Sequence, residues 1–315
     1  MKKLTKNEAA AFLKEQNNFV ILTHRRPDGD TLGSAAALCL GLRQLGKTAH
    51  VLKNPGITPR YESLLEGLGC EEAYEGSVLV AVDVAAKEML PAAFMHLSEK
   101  IHLRIDHHRG EQSFAQLELV EPSTGACGQM IFDILELLQV TLDVPMANAL
   151  YVAVSTDTGC FRYANTQSRT FEVAAACARV SSDLKDINRS LFETVSLGRL
   201  RLQGWIVENA KFLHGGKTVV CALPKEIEAD FGVTEDDMDN ISGFPRSIEG
   251  VELSAMLRCQ PDGNVKLSMR AVPGLDASVI CGKFGGGGHR GAAGATLCMS
   301  LEEAEQAVIA ALQEI

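Results

Sequence analysis

Residues Asn18–Leu45 read NFVILTHRRPDGDTLGSAAALCLGLRQL, and two kinds of pattern meet there. Asn18–Thr23 (NFVILT) is a short uncharged run rich in β-formers, the pattern of a buried strand. Leu32–Leu45 has helical length and spacing. Between them lies a polar turn carrying His24, Asp28 and Asp30. A strand that hands over to a helix through such a turn is the opening of an α/β unit, and the following chain repeats it. Val78–Asp83 (VLVAVD) and Ile101–Asp106 (IHLRID) are further strand patterns. Ser123 to Val140 reads as a helix with a Ser/Thr start signal, and Pro145–Thr156 has helical spacing with proline near its start. The expected fold class is α/β, with a mostly parallel sheet flanked by helices in the N-terminal domain.

Downstream, a mixed helical stretch from Asp183 to Leu213 holds the only tryptophan, Trp205, and Gly215-Gly216 marks a boundary. Strand patterns follow at Thr218–Leu223, Val251–Cys259 and Val265–Ala271, the last two joined by a hairpin turn, Gln260-Pro261-Asp262-Gly263-Asn264. A short strand near Ala295–Cys298 and a closing helix, Ser300–Glu314, opened by a Ser300/Glu303 capping box, complete a smaller α/β domain. Glu235-Asp236-Asp237 opens a helix after Thr234, where negative charge is favoured. The expected division is a catalytic domain over residues 1–190, a helical linker over 191–215 and a second domain over 216–315.

Composition sets limits on partners. The 315 residues carry a net charge of −10, which disfavours a grip on long duplex nucleic acid, where phosphate contacts supply most of the affinity. Short polyanions remain open if basic groups converge locally. The nine cysteines are odd in number and show no C-x-x-C pair, which points to packing roles and a reducing cytoplasm. No apolar run reaches the roughly 18–20 residues of a membrane span. The N-terminal MKKLTKNEAAAFLKEQNN reads as an amphipathic first helix and not as a signal peptide.

The chemistry shows where the apolar runs stop. His24, Asp28 and Asp30 follow the first, Asp83 ends the second, Asp106-His107-His108 ends the third, and Asp157 lies at the end of the long apolar helix. In an open α/β sheet the carboxyl ends of strands gather at one rim, where ligands bind. Carboxylates at that density repel and raise one another's pKa unless cations supply the opposite charge. Oxygen and imidazole donors without thiolate favour manganese, with magnesium, iron(II), cobalt or zinc as alternatives, and two such ions form a clamp for phosphoryl hydrolysis. His50, His96, His102 and His214 have no such context and read as ordinary histidines.

At these residues the chain resembles the DHH phosphoesterase superfamily. THRRPDGDTLGS, VAVDVA, DHH and STDTGCFR stand in the family's order, and GGGGHRGAAG (Gly285–Gly294) is similar to the signature of its accessory DHHA1 domain. The likeness is nearest to the compact nanoRNase type, oligoribonucleases that also dephosphorylate 3′-phosphoadenosine 5′-phosphate. The resemblance implies one metal held by His24, Asp28 and Asp83, and a second held by Asp30, Asp83, His107 and Asp157. It implies Asp106 as an orienting carboxylate and His108 facing the substrate phosphate, so that Asp83, Asp106 and His108 carry the catalysis.

Near the C-terminus, glycines let backbone N–H groups approach an anion. Between Arg258 and Arg290 five basic residues stand against two acidic ones, +3 inside a chain of −10. Alternation puts Ser268 and Arg270 on one strand face. By resemblance, Ser268, Arg270, Gly286, Gly287, Gly288 and His289 hold the nucleotide, while Arg258 and Arg290 are equally readable as surface charges. A site in the cleft between the domains limits the substrate to a few nucleotides of RNA or DNA, and a homodimer is left open. The rivals are a family II inorganic pyrophosphatase, a RecJ-like single-strand exonuclease, a linear or cyclic dinucleotide phosphodiesterase, and a silent nucleotide-binding regulator.

Overall fold

In the computed structural model, which describes residues 2–108, 113–238 and 240–314, the chain divides into two compact units, Met1–Thr194 and Val195–Ile315. The first unit opens with β1 (Lys2–Lys3) and α1 (Lys6–Glu15), the helix started by a capping box of Thr5 and Glu8. There follow β2 (Phe19–Leu22), α2 (Gly29–Gln44), β3 (Ala49–Leu52), β4 (Gly69–Cys70), β5 (Val78–Val82), β6 (Leu103–Asp106) and β7 (Leu117–Val120). Four helices close the unit: α3 (Cys127–Leu137), α4 (Val144–Asp157), α5 (Ser168–Val180) and α6 (Leu184–Asn188).

The strands form one seven-stranded sheet in the order β1-β7-β6-β5-β2-β3-β4, and every recorded pair is parallel. From β2 the chain runs outward to β3 and β4, then returns to β5 and runs the other way. The topological switch point therefore lies between β2 and β5, where a crevice opens at the carboxyl ends. All four side chains of β2 are fully buried, each contributing about 1.5–3 kcal/mol by removal from water. Phe19 and Ile21 point into the core under the α-helices, whereas Val20 and Leu22 join the opposite core. That opposite face is covered by 3₁₀ segments, Lys87–Met89 and Ala92–Lys100, in place of α-helices.

Two helix starts differ from the sequence reading. The helix expected from Leu32 begins at Gly29, because Asp28 caps it by accepting from the N–H groups of Asp30 and Thr31, both at 3.1 Å. The helix expected from Ser123 begins at Cys127, and its N-cap residue, Ala126, offers no side-chain acceptor. A distant residue does the capping: the two carboxylate oxygens of Asp30 accept from the N–H of Cys127 at 2.7 Å and of Gly128 at 2.8 Å.

The second unit begins with α7 (Leu197–Asn209), so the stretch expected as a linker contributes a helix to this unit. It continues with β8 (Lys211–Leu213), β9 (Thr218–Leu223), α8 (Lys225–Asp230), α9 (Glu235–Met238), β10 (Leu253–Cys259), β11 (Val265–Ala271), α10 (Ala277–Lys283), β12 (Gly287–His289), β13 (Ala292–Leu297) and α11 (Leu301–Gln313). The six strands lie in the order β12-β13-β11-β10-β9-β8. Only β9 and β10 are parallel among the recorded pairs, and β10 and β11 form the antiparallel hairpin expected from the Pro-Asp-Gly turn. Leu253, Leu257, Leu267, Met269 and Ala293 face a core shared with α10 and α11. On the other face Cys221, Leu223 and Met256 pack with Leu202 and Ile206 of α7. Among the described residues no helix is long and apolar enough to cross a membrane, and all nine cysteines are free thiols.

Candidate metal centre

Each acidic strand end reaches the rim at the switch point. His24 follows β2, Asp83 follows β5, His107 and His108 follow β6, Asp28 and Asp30 open α2, and Asp157 ends α4. The side chains converge in three overlapping groups whose donor atoms lie within 4.8 Å of one another: His24/Asp28/Asp83, Asp30/His107/Asp157 and Asp83/His107/His108. Asp83 links the groups. Its Oδ2 is 3.7 Å from His24 Nε2, and its Oδ1 is 3.5 Å from His107 Nε2 and 3.4 Å from His108 Nδ1. His107 Nε2 also stands 3.6 Å from Oδ2 of both Asp30 and Asp157. Asp83 adopts φ 56°, left-handed backbone that a non-glycine residue seldom takes and that is found where function imposes it.

The polar atoms fit cations better than they fit one another. Asp83 Oδ1 and His107 Nε2 are buried and have no hydrogen-bond partner among the described residues. Such atoms are rare in folded proteins and mark the place of an ion or catalytic group. Burial, together with the charges of Asp83, Asp157 and Asp28, pushes the Asp30 carboxyl well above the usual range. Burial also raises Asp157 to about 6, against the counter-pull of His107. Burial opposes a charge on His24, yet Asp28 and Asp83 outweigh it and hold its pKa up at about 9. A divalent cation removes the conflict among the carboxylates, and imidazole and carboxylate donors suit one. His107 is ready for that role, because its Nδ1 is bonded at 3.1 Å to the Thr124 carbonyl, which makes Nδ1 the donor and leaves Nε2 a lone pair.

Asp106 is placed differently. It is fully buried, and its Oδ1 accepts from His108 N at 3.2 Å and His108 Nδ1 at 2.8 Å. Its Oδ2 accepts from Arg104. Burial works against its charge, but His108 and Arg104 prevail and hold it down at about 2. Burial likewise opposes a charged His108, while Asp106 and Asp83 keep its pKa up at about 11. A carboxylate has no proton to donate here, so Nδ1 of His108 is the donor and Nε2 is turned away, on a side chain 39% exposed.

Two further residues, outside the acidic strand ends, support the site. Arg104, 1% exposed, also donates to the Ala85 carbonyl at 2.8 Å, so it ties the end of β5 to the end of β6. A lone arginine in the apolar strand IHLRID was the available signal. Asn165 donates to the carbonyls of Gly125 at 2.8 Å and Asp157 at 3.1 Å, and to Asp157 Oδ2 at 3.2 Å, without any local pattern to announce it.

In the second unit the residues singled out share one sheet face. Ser268 pairs with Gly294 and Gly294 with Gly287, while Arg270 pairs with Ala292 and Ala292 with His289. Paired residues of antiparallel strands project to the same side, so Ser268, Arg270 and His289 stand in two adjacent rows on the half of the sheet beyond α7. The glycine run is not a free loop. Gly287–His289 is an edge strand laid against β13, and a Cβ on Gly286 would lie 2.2 Å from the Gly294 carbonyl. Gly288, at φ 144°, occupies backbone space that other residues avoid. Arg258 is taken up by Glu228, at 2.6 and 2.7 Å, and Arg290 lies 3.3 Å from Asp276.

Comparison with known proteins agrees with both units. The DHH family, N-terminal domain, matches residues 18–154, and the DHHA1 domain matches residues 215–315. The chain is 36% identical over 304 residues to the bifunctional oligoribonuclease and PAP phosphatase NrnA of Thermus thermophilus, covering 93% of this chain and 89% of that protein. It is 25% identical over 306 residues to the protein of the same description from Bacillus subtilis, covering 96% of each. The crystal structure of an exopolyphosphatase-related protein from Bacteroides fragilis superposes with a TM-score of 0.83 at 24% identity, over 98% of this chain and 96% of that one.

Proposed function

The chain belongs to the DHH family, and from that membership we propose that it is a two-metal phosphoesterase cutting short oligonucleotides to mononucleotides and 3′-phosphoadenosine 5′-phosphate to AMP. It is a hydrolase of phosphoester bonds, as its relatives are. The observation that carries the two-metal reading is the position of Asp83, whose two oxygens face His24 at 3.7 Å and His107 at 3.5 Å. One carboxylate set between two donor clusters is what a pair of bridged ions requires.

The reading assigns one ion to His24, Asp28 and Asp83, and the other to Asp30, Asp83, His107 and Asp157, with manganese the preferred metal. When bound, such ions polarise the phosphate oxygens and lower the pKa of a coordinated water. His108, with Nδ1 engaged by Asp106, turns Nε2 to the phosphate and donates a proton to the departing oxygen. Ser268, Arg270, His289 and the backbone of Gly286, Gly287 and Gly288 hold the remainder of the substrate. In this reading residues 1–190 catalyse, residues 216–315 bind, and the substrate is a few nucleotides long and not a long duplex. The free cysteines support a reducing cytoplasm, and a homodimer is the proposed assembly.

The test is a substrate panel with manganese present: an RNA dinucleotide, a 24-mer, 3′-phosphoadenosine 5′-phosphate and pyrophosphate. Fast release of mononucleotides from the dinucleotide, AMP from the bisphosphate and little from the 24-mer is expected. Processive decay of the 24-mer would replace the reading with a RecJ-like exonuclease, and cleavage of pyrophosphate alone would remove the nucleotide from it.

A further inference from the structure

Two residues after Asp157 the chain begins a run of three left-handed residues, Gly159 (φ 57°), Cys160 (φ 56°) and Phe161 (φ 64°). Side-chain-bearing residues avoid this region, so Cys160 and Phe161 must be held there by their surroundings. Cys160 N donates to the Ser155 carbonyl at 2.6 Å, and the N–H groups of Arg162 and Tyr163 both donate to the Thr158 carbonyl at 3.0 Å. The Phe161 ring is anchored between Tyr151 and Phe171, with centroids 6.0 and 5.4 Å away. Asn165 closes the turn back onto Asp157 itself.

This turn sets the ring of Tyr163 over the backbone of Gly159. A Cβ on Gly159 would meet Cζ, Cε1 and Cε2 of the ring at 2.3, 2.4 and 2.5 Å, nearly equal distances that place the glycine against the ring face. One face is thus backed by main chain, and Tyr163 remains 46% exposed. Arg162, beside it, is exposed, with Nε bonded to the Gly159 carbonyl at 2.6 Å and no recorded ion pair among the described residues. A rigid aromatic face next to an available cation, one turn from the residues that face a phosphate, is the equipment of a nucleotide subsite.

We propose that Tyr163 is a stacking platform for a nucleobase of the substrate, with Arg162 attending the adjoining phosphate. This rests on the phosphoesterase reading and extends it, since it places a base-binding determinant on the catalytic unit. It also explains the left-handed turn, which a metal ligand at Asp157 alone does not need.

The test compares binding of AMP and ribose 5-phosphate to the manganese-loaded protein by calorimetry, in the wild type, Tyr163→Ala and Tyr163→Phe. Expected is a wild-type preference for AMP, lost on the order of tenfold in Tyr163→Ala and kept in Tyr163→Phe, with ribose 5-phosphate affected less than threefold. A parallel rise in KM for an RNA dinucleotide, with kcat within threefold, is expected in Tyr163→Ala. Unchanged AMP binding in Tyr163→Ala, an equal loss for both ligands, or a Tyr163→Phe as weak as the alanine variant would each overturn the proposal. A wild type that cleaves no dinucleotide would end the phosphoesterase reading, while AMP binding would still decide the platform.

Discussion

Replacing Arg104 with methionine removes the cation from a site where it is 1% exposed and faces two carboxylates, Asp106 and, at 3.9 Å, Glu118. The methionine fills most of the volume, so charge and hydrogen bonding dominate the effect. The fall of Asp106 from its ordinary 3.8 to about 2 corresponds to about 2.5 kcal/mol, shared between His108 and Arg104. Breaking a buried ion pair by deleting one partner costs about 3–5 kcal/mol, because the other charge stays buried without compensation. The Ala85 carbonyl also loses its donor. About 3 kcal/mol is therefore expected, with Asp106 supplying about half and Glu118 and Ala85 the rest.

The pH dependence of that loss has a definite sign. Asp106 has a depressed folded pKa, so its contribution is present above the unfolded value of 3.8 and disappears as pH falls through about 2. Urea unfolding of the chelated wild type and Arg104→Met should differ by about 3 kcal/mol at pH 7, and by clearly less at pH 3. The variant should also lose kcat, because His108 is no longer oriented, and Arg104→Lys should recover part of both. A stability difference under about 1 kcal/mol at pH 7, or one that persists undiminished at pH 3, would refute the assignment of Arg104 as the anchor of Asp106.

Further outcomes follow from the same geometry. Asp83→Asn should cost about a thousandfold or more in kcat and reduce bound manganese below one ion per chain, measured by elemental analysis, since both donor clusters use that carboxylate. Chelation should lower the melting temperature of the wild type by several degrees, read by calorimetry, because ions at about 100 times their Kd stabilise by about 2.7 kcal/mol and relieve the charges of Asp30 and Asp157. Asn165→Ala should weaken metal affinity about 10–100-fold in a metal titration, through loss of its bonds to Asp157. Ser300→Ala removes the α11 capping box and should lower stability by about 1 kcal/mol in urea, with kcat/KM unaltered.

Much of the site was legible because its residues lie immediately after strongly patterned segments. An uncharged run such as FVIL announces a central strand, and the next polar residue must then lie at the carboxyl rim. The same logic placed Asp83 after VLVAV and Asp106 after LRI. What escaped were relations between distant segments. Asp30 was read as a metal ligand, yet it also caps α3 from about a hundred residues away, as its bonds to Cys127 and Gly128 show. No local signal encodes that, and the helix start was misplaced at Ser123 as a result. Four glycines in a row read as backbone left open for an anion, which says nothing of a strand. Here the missing side chains let β12 lie close against β13, a use that depends on a neighbouring strand. The shared face of Ser268, Arg270 and His289, in two adjacent rows, required strand register, which periodicity on one strand does not contain.

In the two-metal reading, the rim between β2 and β5 holds two divalent ions sharing Asp83. Anomalous diffraction from manganese-loaded crystals tests it most directly. Two peaks about 3.5–4 Å apart are predicted, one among His24, Asp28 and Asp83 and the other among Asp30, Asp83, His107 and Asp157. A single peak, or two peaks that do not share Asp83, would contradict it.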